Sequence, residues 1–136
     1  MAVNGVIQRK FALLDQHLIE LRGAIEGVGR EEFAANWRLR LMTERSLQVM
    51  AEILIDVAER MLALRGAGPA ATAAEALTKI ANLGVIRDAD RYAAIVRFRN
   101  LIVHRYDEID PAIVFDILQN HLDLFREFRD EVDHAE

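Results

Sequence analysis

The sequence contains no cysteine and only two prolines among its 136 residues. Without thiols there is no disulfide framework and no thiolate metal centre, so the fold must be held by buried apolar surface. A chain of this length suffices for one such core, and a single domain over residues 1–136 is expected. Long apolar runs are also missing, which excludes a membrane-spanning helix. The opening residues, Met1 to Lys10, mix polar and charged side chains and lack the apolar stretch of a signal peptide. The expected setting is therefore the cytoplasm, away from membranes. No His, Asp or Glu cluster has metal-ligand spacing, so neither a metal nor a cofactor is expected. A basic excess is lacking too. The net charge is −5 and the isoelectric point near 5.4, which argues against whole-surface nucleic-acid binding but leaves room for a local basic site.

What is there is helical. Ala, Leu, Ile, Glu and Arg dominate, and no segment alternates with a period of two. The pattern predicts an all-α fold, an antiparallel bundle of four to five helices. The first helix is expected from Val6 to Glu26, with Phe11, Leu14, Leu18, Leu21 and Ile25 on one stripe and Gly27 and Gly29 ending it. The second is expected to run unbroken from Glu31 to Leu64, carrying Leu39, Met42, Leu47, Met50, Leu54, Val57, Met61 and Leu64, until Gly66, Gly68 and Pro69 stop it. Thr72 and Glu75 have capping-box spacing at the start of a short third helix that Gly84 ends. A fourth is expected from Asp88 to His104. Asp110-Pro111 has the form of an N-cap followed by proline at the first helical position, opening a fifth helix buried through Ile113, Ile117, Leu118, Leu122, Phe125 and Phe128.

Charge is unevenly spread. Arg87, Arg91, Arg97, Arg99 and Arg105 fall in one stretch, while Asp123, Glu127, Asp130, Glu131 and Asp133 crowd the C-terminal segment. Solvated helix faces joined by internal ion pairs account for such a distribution. Glu44 and Asp56, nearly in line on the second helix, are read first as bundle ion pairs and second as acidic members of a cleft. Trp37, Phe98, Phe115 and Phe125 are read as core or interface residues rather than base-stacking platforms.

The stretch from Arg97 to Tyr106 carries the chemistry. Asn100 and His104 are four residues apart and share a helix face, so the amide can orient the imidazole. Arg99 and His104 are five apart, about 140° of rotation on a regular helix, so they are not ideal partners within one straight helix but could converge if the helix end unwinds or if a site is shared between two copies. On its own, a histidine at a helix C-terminus also fits a capping role on the last carbonyls.

Arg99-x4-His104-x-Tyr106 resembles the motif of HepT toxins, a branch of the HEPN superfamily, with Asn100 matching the polar residue that follows the motif's arginine. Leu83-Gly84-Val85-Ile86 is similar to the family's turn before the motif helix. Glu44-Arg45-Ser46-Leu47-Gln48 and Ile55-Asp56-Val57-Ala58 resemble its second helix, so the likeness runs from about Arg38 to Val132. The resemblance implies a HEPN-like homodimer and a metal-independent endoribonuclease toxin. Its Arg99, Asn100 and His104 would form a catalytic set shared across the dimer, through which the ribose 2′-OH attacks phosphorus. Arg97 and Arg105 are candidate RNA contacts. The resemblance further implies a minimal nucleotidyltransferase antitoxin that adenylylates Tyr106. Two alternatives stay open: a non-catalytic HEPN dimer that binds the nucleotidyltransferase, and possibly nucleotide or RNA, as a scaffold, and a chain that itself restrains a toxic nucleotidyltransferase.

Overall fold

The computed structural model describes residues 5–104 and 109–135. Among these it contains seven α-helices: α1 (Gly5–Ile25), α2 (Arg30–Ala35), α3 (Trp37–Leu64), α4 (Ala73–Asn82), α5 (Ala93–His104), α6 (Pro111–Asn120) and α7 (Leu122–His134), with a 3₁₀ turn, Ala89–Tyr92, leading into α5. The class is the expected all-α one, but the count of four to five helices is corrected to seven.

The axis of the fold is α3, 28 residues long and so about 42 Å end to end. Helices α1, α4 and α5 pack along it. Its inner face, including Leu47, Met50, Leu54, Val57 and Met61, is buried, and so is the whole predicted stripe of α1. Helix α7 closes the core with Phe125, Phe128 and Val132.

The expected second helix is broken at Asn36, whose backbone is extended (φ −95°, ψ 92°) and whose side-chain oxygen accepts from the Leu39 amide at 3.0 Å. Asparagine caps helices well because its side chain replaces a missing backbone acceptor. The polypeptide thereby turns between α2 and α3 without glycine or proline. The expected last helix is likewise interrupted at His121 (φ −126°, ψ 3°), giving α6 and α7. The expected fourth helix opens as a 3₁₀ turn because the Asp88 carboxylate accepts from the Asp90 amide, 3.0 Å away.

The predicted stops hold. Gly66 and Gly84 have φ of 68° and 81°, a region that favours glycine. Each ends its helix with the paired bonds of a Schellman motif: Gly66 N–H to Ala63 O and Ala67 N–H to Leu62 O after α3, Gly84 N–H to Ala81 O and Val85 N–H to Ile80 O after α4. Val85 and Ile80 are both buried, completing the apolar contact that accompanies the second motif. The predicted caps also form: Thr72 Oγ1 accepts from Glu75 N–H at 3.0 Å and the Asp110 carboxylate from Ala112 N–H at 2.9 Å.

The expected burial of Ile113 fails, since it is 42% exposed, and Trp37, read as a core or interface residue, is 63% exposed and so is not in the core. Trp37 is the first residue of α3, beyond the reach of the core, and Ile113 opens onto a surface groove described below.

Two of the clustered arginines form ion pairs as read, Arg91 with Glu127 and Arg99 with Glu52. The backbone amide of Arg87 donates to the Glu131 carboxylate at 2.8 Å, and the buried Tyr92 hydroxyl donates to Glu131. The Tyr92 ring meets Phe128 edge to face, 5.3 Å between centroids. The contacts of Arg87, Arg91 and Tyr92 pin the start of α5 to α7.

Candidate active site

Helix α5 remains a regular helix through His104. Arg99, Asn100 and His104 nevertheless line one cleft of about 520 Å³, together with Glu59 of α3 and the residues that start α4, Ala71, Thr72, Ala73 and Ala74. Unwinding of the helix end, one of the two routes to convergence read from the sequence, is therefore not what brings these residues to one cleft.

The guanidinium of Arg99 is held on two sides. Its Nε–H donates to Glu52 Oε1 at 2.7 Å, and its Nη1 donates to Asn100 Oδ1 at 3.0 Å. Of the five N–H donors of an arginine, two are thus engaged. Asn100 spends its amide oxygen on Arg99, where the sequence suggested a bond to the His104 ring. His104 itself is exposed at the last turn of α5.

The fourth helix contributes its N-terminal turn. Thr72 uses its hydroxyl to cap α4, while Glu75 accepts from the Ala71 amide at 3.2 Å and pairs with Lys79 at 3.1 Å. Those contacts, Lys79 foremost, hold the Glu75 carboxyl below the usual range. The cleft wall is thereby a capped helix start, whose partial positive charge favours anions.

Arg97 lies elsewhere on α5. It is exposed in a groove of about 550 Å³ between α5 and α6, beside Phe98, Leu101, Ile113, Ile117, Asp116 and His121. By helical rotation Arg97 and His104, seven residues apart, lie on nearly one line of α5, but they line different depressions. Arg105 and Tyr106 lie outside the described residues.

Asp56 belongs to the bundle. It pairs with Lys10 at 2.8 Å and Arg60 at 3.1 Å. Burial alone would raise its carboxyl, but the hydrogen bonds from Lys10 and Arg60 outweigh this and hold it below the usual range. The other histidines make local contacts away from the cleft. His17 Nδ1 lies 2.6 Å from Ser46 Oγ, and burial, then Arg45, pushes the ring below its ordinary value. His121 faces Asp116 at 3.4 Å, and His134 donates to the Asp130 carbonyl at 2.6 Å.

Sequence reasoning missed Glu52 and Glu59. The available signal was their seven-residue spacing, two turns on one face of α3. What could not be read was that this face meets α5.

A family model described as Ribonuclease HepT-like matches residues 14–132. The chain belongs to this family. The resemblance carried by Arg99-x4-His104-x-Tyr106 is thus borne out, and it extends over nearly the whole HepT-like chain. A tRNA nuclease HepT of Aphanizomenon flos-aquae is 28% identical over 112 residues, covering 81% of this chain and 76% of the relative. An mRNA nuclease HepT of Shewanella oneidensis is 26% identical over 132 residues, covering 96% and 98%. Among solved structures, a tri-AMPylated Shewanella oneidensis HEPN toxin in complex with its MNT antitoxin superposes with a TM-score of 0.87 at 25% identity, over 98% of this chain and all of the other. A toxin–antitoxin crystallised with AMP-PNP gives 0.86 at 26% identity, with the same coverage. No helix among the described residues is long and apolar enough to cross a membrane.

Proposed function

We propose that this HepT-like chain is an endoribonuclease toxin of a toxin–antitoxin pair, cleaving RNA through Arg99 and His104. The observation that carries the reading is the shared cleft, lined together by a guanidinium bonded to Glu52 and Asn100, an exposed imidazole and a capped helix start. RNA can be cut without a metal if the ribose 2′-OH attacks its own phosphodiester. His104 takes the 2′-OH proton as the oxygen bonds to phosphorus, a transfer for which imidazole is suited near neutral pH. Arg99 offers its remaining N–H donors to the phosphorane oxygens, where charge grows in the transition state. The bond to the 5′-oxygen then breaks, that oxygen takes up a proton, and a 2′,3′-cyclic phosphate remains. Asn100 acts by holding Arg99.

One imidazole cannot remove and deliver a proton in the same instant. A homodimer supplies the second, with the partner's His104 as the acid. The α5–α6 groove, lined by Phe98 and Leu101 of the helix that also carries His104, supports docking of a second copy on this face. Arg97 and Arg105 are candidate contacts to the RNA backbone in this reading. The AMPylated state of the Shewanella toxin and its MNT antitoxin support a matching off-switch here: a partner nucleotidyltransferase adenylylates Tyr106, two residues beyond His104. The added phosphate brings bulk and negative charge beside a site built for an anionic substrate.

The carboxylates of Glu52 and Glu59 at the cleft, with the acidic net charge, favour a second reading: a non-catalytic dimer that binds its nucleotidyltransferase. One experiment separates the two. The chain is expressed alone and beside its nucleotidyltransferase, and intact mass and RNA cleavage are measured on both samples. The enzyme reading predicts cleavage by the first sample. In the second it predicts a mass gain of one or more AMP units on Tyr106 with loss of cleavage. RNA binding without cleavage in either sample would select the scaffold.

A further inference from the structure

Arg99 reaches its place in the cleft from the far side of α5, and an arginine side chain carries about 2 kcal/mol of rotamer entropy. Left alone, it would sample many positions over the 520 Å³ cleft. Glu52 removes that freedom. Its Oε1 lies 2.7 Å from Arg99 Nε, the distance of a charge-assisted bond. Glu52 stands on α3, the rigid axis of the fold, and not on α5, so the contact fixes the guanidinium relative to the scaffold. Asn100 only ties it to its own helix. The Glu52 side chain is 50% exposed and that of Arg99 27%. An ion pair this wet adds little to stability, so its consequence is orientation. With Nε–H engaged by Glu52 on α3 and one Nη1 hydrogen by Asn100, three N–H donors are left for a phosphate in the cleft that Arg99 lines.

We propose that Glu52 is the positioning residue for Arg99, holding the guanidinium from α3 so that its outer edge presents to the scissile phosphate. This rests on the reading of Arg99 as the phosphate-binding group. Glu52 touches neither substrate nor reacting atoms. A carboxylate this near an anionic ligand also repels it, which gives the role a distinctive signature. Removing Glu52 frees Arg99 and lowers the rate of chemistry, while RNA binds as well as before or more tightly. A residue needed only for folding would weaken both. A carboxylate that merely competes with RNA for Arg99 would, on removal, raise the rate.

The test compares wild type, Glu52→Ala, Glu52→Gln and Asp56→Asn. Single-turnover cleavage of an RNA oligonucleotide is measured alongside binding of the same oligonucleotide with a 2′-deoxy sugar at the cut site. Glu52→Ala should lose roughly 10- to 100-fold in cleavage rate, the scale of a catalytic group displaced by about 1 Å, with binding unchanged or tighter. Glu52→Gln keeps an oxygen that can accept from Nε–H and should recover part of the loss. Asp56→Asn removes a carboxylate of the same helix that lies in a separate ion pair, and should cleave at the wild-type rate. Arg99 Nε–H, followed by NMR, should exchange slowly in wild type and fast in Glu52→Ala. Cleavage by Glu52→Ala at or above the wild-type rate would overturn the inference, and so would equal losses in rate and binding. A wild type that cuts no RNA would instead remove the reading of Arg99 on which it rests.

Discussion

Replacing Arg99 with lysine keeps the positive charge and tests whether geometry matters beyond charge. In the structure the guanidinium meets three demands: Glu52 through Nε, Asn100 through Nη1, and further N–H donors left for the cleft. An ammonium is a single point with three rotatable donors and no planar edge. Drawn to the Glu52 carboxylate, it cannot also present paired donors to a phosphate. Losing one charge-assisted hydrogen bond in the transition state costs about 1.5–3 kcal/mol, so cleavage should slow by roughly 10- to 100-fold. The effect on folding should be small. A half-exposed ion pair is worth about 0–1 kcal/mol, which for a chain of this size moves Tm by no more than about 4 °C. The assay is single-turnover cleavage of a short RNA together with thermal unfolding by circular dichroism. Wild-type cleavage by Arg99→Lys would refute the geometric argument, because charge alone would then suffice. A Tm fall well beyond 4 °C would refute the claim that the pair orients rather than stabilises.

Other expectations follow from the scaffold. Thr72→Ala removes the cap of α4 and should cost about 1 kcal/mol, seen as a Tm lower by roughly 3–4 °C. Because the same turn walls the cleft, cleavage should fall as well, and Thr72→Ser should restore both. Burial, then the Glu131 carboxylate, raises the Tyr92 hydroxyl above its ordinary value of 10. The folded state therefore favours the protonated phenol. The stability this brings is fully present below pH 10 and is lost as pH rises beyond it. Denaturant midpoints taken from pH 8 to 11 should fall steeply above about pH 10 in wild type, and less steeply in Tyr92→Phe.

The parts of the fold written in local pattern were legible in the sequence. The stripe from Phe11 to Ile25, the cap at Thr72, the Asp110-Pro111 start and the stops at Gly66 and Gly84 depend on neighbours within one turn, and all appear as read. The breaks at Asn36 and His121 were not legible. Neither residue forbids a helix, and apolar spacing runs straight through both. What decides there is tertiary: α2 packs against α6, and α6 folds back into contact with α7. The site divides the same way. Arg99, Asn100 and His104 are legible because they sit within six residues on one helix, and a known motif joins them to Tyr106. Glu52 and Glu59 lie forty or more positions before Arg99, and only the packing of α3 on α5 brings Glu52 to Arg99 and Glu59 to the cleft. The bond between Asn100 and Arg99 was missed because helical periodicity compares backbone angles, and a long side chain can reach around them.

The most direct test of the central claim uses His104→Ala beside wild type, both purified free of AMP, with a defined RNA and analysis of the product ends. The account predicts that wild type leaves 2′,3′-cyclic phosphate and 5′-hydroxyl ends, and that His104→Ala folds normally and binds the RNA but cuts at least 100-fold more slowly, the low end of what a positioned acid–base group contributes. Undiminished cleavage by His104→Ala, or products ending in 3′-hydroxyl and 5′-phosphate, would contradict it.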